Sequence, residues 1–431
     1  MRTLARLAAG LVAATALAAA GGAVPAAASA TPALRNPIDH VVVLMQENRS
    51  FDSYFGRLHF EGQPHATPEP PGVSNPNPVD PAARDIRAFH QTQYCEVADL
   101  NHSWTGTHDE LDGRAMDGFT AANVDPADPT GSRAMGFYDV RDLPFYSSLY
   151  RTFAMGDRYF ASVPGPTFPN REYLLAGTSF GHIRNDLPAT GLTGRSIFNE
   201  LDEAGVSWKI YFSDTPAGFL FAYVRAHATG HVVPVSQYFV DAAAGQLPQV
   251  AFVDPMFGGD KNTESDEHPP ANIQIGQQFV SGIVNALFAS PNWPSSALFL
   301  TYDEHGGYFD HVAPPPAVAP DDIAPMLGPG DTAAGFDRYG VRVPAVVVSP
   351  FARPHFVSHD VFDHTSILRF VETRFGLPAL TRRDAAADPM LDLFDFHRPA
   401  FLKAPRLLPA VVNPDQVAAC AASAASGTGD V

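Results

Sequence analysis

Residues 40–52 read HVVVLMQENRSFD, and this stretch decides the fold class. From Val41 to Met45 no polar residue alternates with the apolar ones, the pattern of a strand covered on both faces of its sheet. Chemistry-bearing side chains then follow at once, from Gln46 to Asp52, where an open α/β sheet places its functional groups at the carboxyl ends of its strands. The same kind of apolar run recurs at residues 250–253 (VAFV), 297–302 (ALFLTY) and 343–349 (VPAVVVS). Helical periodicity separates these runs. Ile275, Phe279, Ile283 and Leu287 mark one stripe over residues 274–288. Ile367, Leu368, Val371 and Phe375 mark another over 365–375, with Asp363 near its start and Gly376 just past its end. Residues 196–204 read as a third helix, stopped by Gly205 and followed by a strand at 208–212. Strand and helix alternate, so the expectation is an α/β fold with a largely parallel sheet and helices on both faces.

The whole chain has 431 residues, a net charge of −18, 45% hydrophobic and 17% charged residues. That composition is globular, and its acidity argues against a nucleic-acid partner read through a basic face. The 40 prolines argue for long ordered connections, and residues 62–83 and 313–330 read as surface loops. Arg2 and Arg6 precede an apolar run over residues 7–20, and Ala28-Ser29-Ala30 offers a cleavage site. Residues 1–30 therefore read as a signal peptide of a secreted protein, 31–400 as one catalytic domain and 401–431 as a Pro/Ala tail. No later segment has the roughly 20 apolar residues of a membrane-spanning helix. The two cysteines, Cys95 and Cys420, allow either one bridge or two separate buried thiols.

Two strand ends carry the oxygen-rich clusters: Glu47 and Asn48 after the first run, Asp303 and Glu304 after ALFLTY, with Gly306-Gly307 permitting close backbone approach. Together they could hold a divalent cation, with calcium, magnesium, manganese and zinc all compatible. Residues 163–171 (VPGPTFPNR) set Thr167 in a rigid Pro/Gly loop as a candidate nucleophile, with Asn170 and Arg171 as candidate binders of an anionic oxygen. His102 and His268 are candidate proton donors.

Three of these segments, ENRSFDSYFG, GPTFPNREYLLAGTS and YDEHGGYFDHV, resemble the bacterial phospholipase C and acid phosphatase family of phosphoesterases, and DEHPPANIQIGQQFV and FDHTSILRFVETRFGLP extend the likeness over residues 36–378. The resemblance implies an alkaline-phosphatase-like α/β core and metal ligation by Glu47, Asn48, Asp303 and Glu304. It further implies Thr167 as the nucleophile of a phospho-enzyme, with His268 and His102 at the phosphate or leaving group. The acid phosphatase branch carries Ser at the nucleophile position, so Thr167 leans toward the phospholipase C branch. The expected substrate is then a phospholipid or a small soluble phosphate ester, with an acid phosphatase of soluble monoesters as the alternative. Two other readings compete. Residues 177–181 (GTSFG) fit the G-x-S-x-G elbow of a serine esterase, although no good helix follows, and clustered metal ligands alone are also compatible with a non-enzymatic metal-binding protein.

Overall fold

Strand β1 (His40–Gln46) lies inside an eight-stranded sheet because every residue after His40 is buried, which only a strand covered on both faces allows. The structure, a computed structural model, describes residues 36–426. The other strands of the sheet are β2 (Ala154–Gly156), β3 (Trp208–Phe212), β4 (Val232–Pro234) and β5 (Val250–Asp254), followed by β6 (Ser296–Tyr302), β7 (Ala345–Val348) and β8 (Val357–Ser358). Their order across the sheet is β8-β2-β7-β6-β1-β5-β3-β4. All neighbours run parallel except at β7, which is antiparallel to both β6 and β2. The largely parallel α/β fold expected from the apolar runs is therefore present, with one reversed strand that the run at 343–349 did not announce.

Register places the site. Gln46 of β1 stands opposite Tyr302 of β6, so the next residues, Glu47 and Asp303, leave the sheet side by side. Leu44 pairs with Val253 on the other flank, which brings Asp254 to the same edge.

The helices that matter here are α1 (Trp104–Leu111), α2 (Thr167–Ala176), α3 (Ile273–Ala289), α4 (His364–Phe375) and α5 (Pro414–Ser426). In α3 the buried stripe contains Val280, Ile283, Val284 and Leu287, and the Asn272 side chain caps its start by accepting from Gln274 N–H. Ile283→Ala would remove fully buried methyl groups at a cost of about 2–5 kcal/mol. Helix α4 starts with a capping box between Asp363 and Ser366 and ends at Gly376, whose φ of 69° suits a residue without Cβ. The third expected helix is Ile197–Glu203, with Ser196 as its cap.

Part of the stretch read as a Pro/Ala tail is tethered, by the one bridge the two cysteines allow. Cys95 and Cys420 form a disulfide with Cα atoms 5.8 Å apart, and helix α5 surrounds the second cysteine. Gln416 Nε2 donates to Thr92 O at 2.9 Å, and Asn262 Nδ2 donates to Val417 O at 3.0 Å. The cross-link and these contacts order a segment whose composition signals little. The expected signal peptide, residues 1–30, lies outside the described residues. Among the described residues no helix is long and apolar enough to cross a membrane.

Candidate active site

The two strand-end loops are tied to each other and to a third by backbone hydrogen bonds. Asp303 N–H donates to Gln46 O at 3.0 Å, Arg49 N–H to Glu304 O at 3.1 Å and Glu47 N–H to Asp266 O at 2.8 Å. Asn48 N–H donates to the Asp303 Oδ1 at 3.2 Å. Asn48 itself has φ 59°, a left-handed conformation that Asn tolerates better than most residues. A Cβ on Gly306 would stand 2.5 Å from the Asn48 Cβ, so the close approach requires glycine at that position.

What these loops present is unusual for a protein interior. Asn48 Oδ1, Asp303 Oδ2 and Glu304 Oε1 are buried and have no hydrogen-bond partner, and Asp266 Oδ2 shares that condition. Leaving a buried polar group unpaired costs about 1–3 kcal/mol. Arg171 offsets part of the charge: its Nη2 lies 3.0 Å from Glu47 Oε1, and its Nε lies 3.6 Å from Asp303 Oδ2. That is not enough for Asp303, since burial and then the Glu47 charge push its carboxyl well above the usual range. The unpartnered oxygens, all hard donors, fit a divalent cation, and Glu47, Asn48, Asp303 and Glu304 are the residues that would hold it. Around them the protein fixes orientation. Burial would raise Glu304, but the His102 charge, the His305 ring and the Gly306 N–H outweigh it and hold the carboxyl below its usual value. His305 bonds Glu110 at 2.6 Å, and against the effect of burial the neighbouring carboxylates raise it to about 10. His364 instead is kept neutral by burial, pushed down to about 3, and donates from Nε2 to Asp303 O at 2.7 Å.

Thr167 opens the ten-residue α2, whose first turn has few donors to spare, since Phe168 N–H bonds Asn185 Oδ1, Asn170 N–H bonds Pro166 O and Pro169 has none. Thr167 lines a cavity of about 570 Å³ together with Glu47, Arg171 and His268. The rest of that wall is mostly apolar, with Phe168, Leu187, Phe219, Leu220 and Phe257 among its residues. A second cavity of about 330 Å³ has polar walls, including Asp99, Asn101, His102 and Arg184. Asn185 lines both, and its Oδ1 accepts from Phe168 N–H at 2.8 Å. The imidazoles of His102 and His268 meet edge to face at 5.8 Å. Burial would lower His102, yet Glu304 and Asp99 raise it to about 9, so it carries a proton at neutral pH.

One expected site residue is corrected. Asn170 does not line either cavity, because its amide is fully engaged by the preceding loop, donating to Val163 O, Gly165 O and Pro166 O and accepting from Val163 N–H. It holds Thr167 in place instead of meeting an anion. Ser179 of the esterase-like GTSFG stretch is completely buried, no helix follows it, and Gly177 merely ends α2.

Sequence reasoning missed several residues. Asp254 follows VAFV at the edge of the sheet, and the strand-end rule extended by one residue would have found it; burial raises its carboxyl to about 6. Glu110 carried no signal, being an ordinary acid on α1 that only the fold brings to His305. Among the described residues, three further groups of His and acidic residues lie close enough to hold an ion: Asp99, His102 and His268; Asp52, Asp310 and His311; His90, Asp139 and Asp142. In the second of these a cation is already present, as the Arg342 guanidinium bonds Asp52 and Asp310 at 3.0 and 2.9 Å.

Residues 38–378 match the model of the phosphoesterase family. The chain is 33% identical to non-specific phospholipase C1 of Arabidopsis thaliana over 408 residues, covering 88% of this chain and 75% of that protein. It is 34% identical to phospholipase C B of Mycobacterium tuberculosis over 425 residues, covering 86% and 80%. Among solved structures, a protein of the alkaline phosphatase superfamily from Vibrio parahaemolyticus aligns over 78% of each chain at 10% identity, with a TM-score of 0.38.

Proposed function

The chain belongs to the phosphoesterase family and is a phosphoric ester hydrolase, and from that premise we propose that it is a phospholipase C-type enzyme acting through a phosphothreonine at Thr167. The observation that carries the reading is a pair of unlike cavities that share Asn185, one lined by Thr167 and the other by the preceding Pro166. A phosphodiester has two esterified alcohols, and here Thr167 lines a largely apolar cavity that a more polar one adjoins at Asn185. A phosphomonoester would leave one of them unused.

A divalent cation bound by Glu47, Asn48, Asp303 and Glu304 supplies charge neutralisation and Lewis acidity to the reaction. The chain's own groups account for the rest. The Thr167 oxygen attacks phosphorus in line, losing its proton to the water of the cavity, while the bond to the leaving alcohol breaks. Arg171, on the cavity wall with Thr167, stands where the phosphoryl oxygens gather charge. His268 gives its proton to the departing alkoxide, and the His102 ring packs edge to face against it. In the second displacement neutral His268 takes a proton from water, whose oxygen attacks the phosphothreonine, and Thr167 recovers its proton as it leaves. With a chain charge of −18, a zwitterionic lipid approaches more easily than a polyanion.

Export of the mature chain is part of the same proposal. It is supported by the basic and apolar pattern of residues 1–30 and by a disulfide, which persists in oxidising compartments.

The test is phosphorus NMR of products from phosphatidylcholine and from a simple phosphomonoester, using the protein and its Thr167→Ala variant. Phosphocholine released only by the unaltered protein is the expected result. Inorganic phosphate from the monoester alone would make it an acid phosphatase instead, and full activity of Thr167→Ala would remove that residue as nucleophile.

A further inference from the structure

Between Asp266, with its unpaired oxygen, and His268, on the cavity wall, stands a residue of opposite character. Glu267 is completely buried, lines neither of the two cavities and has every acceptor position used. Its Oε1 accepts from Gln46 Nε2 at 3.1 Å and from the Tyr146 hydroxyl, and its Oε2 accepts from Tyr54 at 2.6 Å and Tyr302 at 3.0 Å. Four donors match the roughly four lone-pair sites of a carboxylate. Arg49 backs this arrangement, donating from Nε to the Tyr54 oxygen at 3.0 Å.

The donors come from separate parts of the chain: Gln46 and Tyr302 end β1 and β6, Tyr54 lies just after β1, and Tyr146 comes from the helix Pro144–Thr152. The room for Glu267 is made by Gly276 on α3, where a Cβ would stand 2.2 Å from the Glu267 Cγ. Its φ of 76° is one that a non-glycine residue holds only when its surroundings enforce it. That backbone turn sends the two neighbours upward: Asp266 O accepts from Glu47 N–H, and His268 N–H donates to Asp266 Oδ1 at 3.0 Å.

We propose that Glu267 is a positioning residue for proton delivery, its carboxylate locked by Gln46 and three tyrosines so that the adjoining backbone holds His268 at the leaving-group oxygen. This rests on the reading of His268 as the proton donor. A group that acts through a general acid matters in proportion to the basicity of the leaving alcohol, since nitrophenolate departs without a proton and an alkoxide does not.

The experiment compares p-nitrophenyl phosphocholine with dihexanoylphosphatidylcholine for the unaltered protein, Glu267→Gln, Tyr146→Phe and His268→Ala. Glu267→Gln is expected to lower kcat on the lipid at least about tenfold more than on the nitrophenyl ester, with KM little changed, in the pattern of His268→Ala but smaller. Tyr146→Phe, which removes one donor without opening a large cavity, should show the same bias in weaker form and answers the question if Glu267→Gln does not fold. Equal losses on both substrates, or none, in a folded variant would overturn the positioning role while leaving His268 as donor. Equal losses in His268→Ala would overturn the donor reading and this inference together.

Discussion

The loops after β1 and β6 each contribute to two buried charge clusters, and the two clusters are finished differently. Glu47 and Asn48 meet Asp303 and Glu304, and one oxygen each of Asn48, Asp303 and Glu304 has no hydrogen-bond partner, although Arg171 Nε lies 3.6 Å from that of Asp303. A few residues further along the same loops, Asp52 meets Asp310 and His311, and there the Arg342 guanidinium sits between the carboxylates over the Phe51 ring, with its third nitrogen donating to Asp157 O at 2.8 Å. His311 Nδ1 and N–H both bond Asp52 Oδ2, at 2.6 and 2.8 Å. The first cluster contains three acids and the second two, from the same two loops; Arg342 hydrogen-bonds both acids of the second, whereas Arg171 hydrogen-bonds only Glu47 in the first and leaves it open. A closed cluster holds the loops together. An open one, flanked by a nucleophile and a cavity, is unsatisfied until something from outside binds.

That contrast can be broken by single substitutions. Asp303→Asn should lower activity on phosphate esters at least about 100-fold and reduce bound metal, measured by elemental analysis, while leaving the metal-free protein as stable as before or more so. It removes a carboxylate crowded by Glu47, and a large fall in the melting temperature of the metal-free form would show the cluster to be structural after all. Asp310→Asn should do the reverse, costing about 3–5 kcal/mol in denaturant unfolding because it leaves the buried Arg342 charge half compensated. Metal content should not change. Chelation and dialysis sharpen the comparison further: restoring a divalent ion at about 100 times its Kd should raise stability by about 2.7 kcal/mol in the unaltered protein and in Asp310→Asn, but not in Asp303→Asn.

The smallest effect concerns pH. Burial would lower His311, but its bond to Asp52 and the charges of Asp52 and Asp310 raise it above its ordinary value of 6.5. Stability from this pair is therefore full below the ordinary value and is lost as pH rises through the higher folded one. The melting temperature of the metal-free protein should decline across that window, and His311→Gln should flatten the decline. An identical slope in the variant would remove His311 from the account.

Much of this was legible in the chain. Runs such as VAFV and ALFLTY identify strands through local side-chain chemistry, and the residues just beyond two such strands are the open cluster. The same rule carried one residue past VAFV reaches Asp254. Other features had no local signature. Glu110 on α1 clamps His305 from 195 positions away, and Asn170, placed by its sequence beside Thr167, turned inward because the loop's own backbone offered four partners. The reversal of β7 depends on how the chain returns to the sheet, which a four-residue apolar strand does not encode.

By itself the amino-acid sequence determined five of the eight strands of the main sheet, three of the helices and which oxygen-bearing residues stand at two strand ends, because periodicity and capping act over a few neighbouring residues. Tertiary structure alone decided which of those oxygens stay unpaired. Arg342 reaches Asp52 across 290 positions and closes that cluster, whereas Arg171 reaches Glu47 but leaves oxygens of Asn48, Asp303 and Glu304 without a hydrogen-bond partner, and satisfaction of a buried charge depends on distance in space, over which sequence separation has no say.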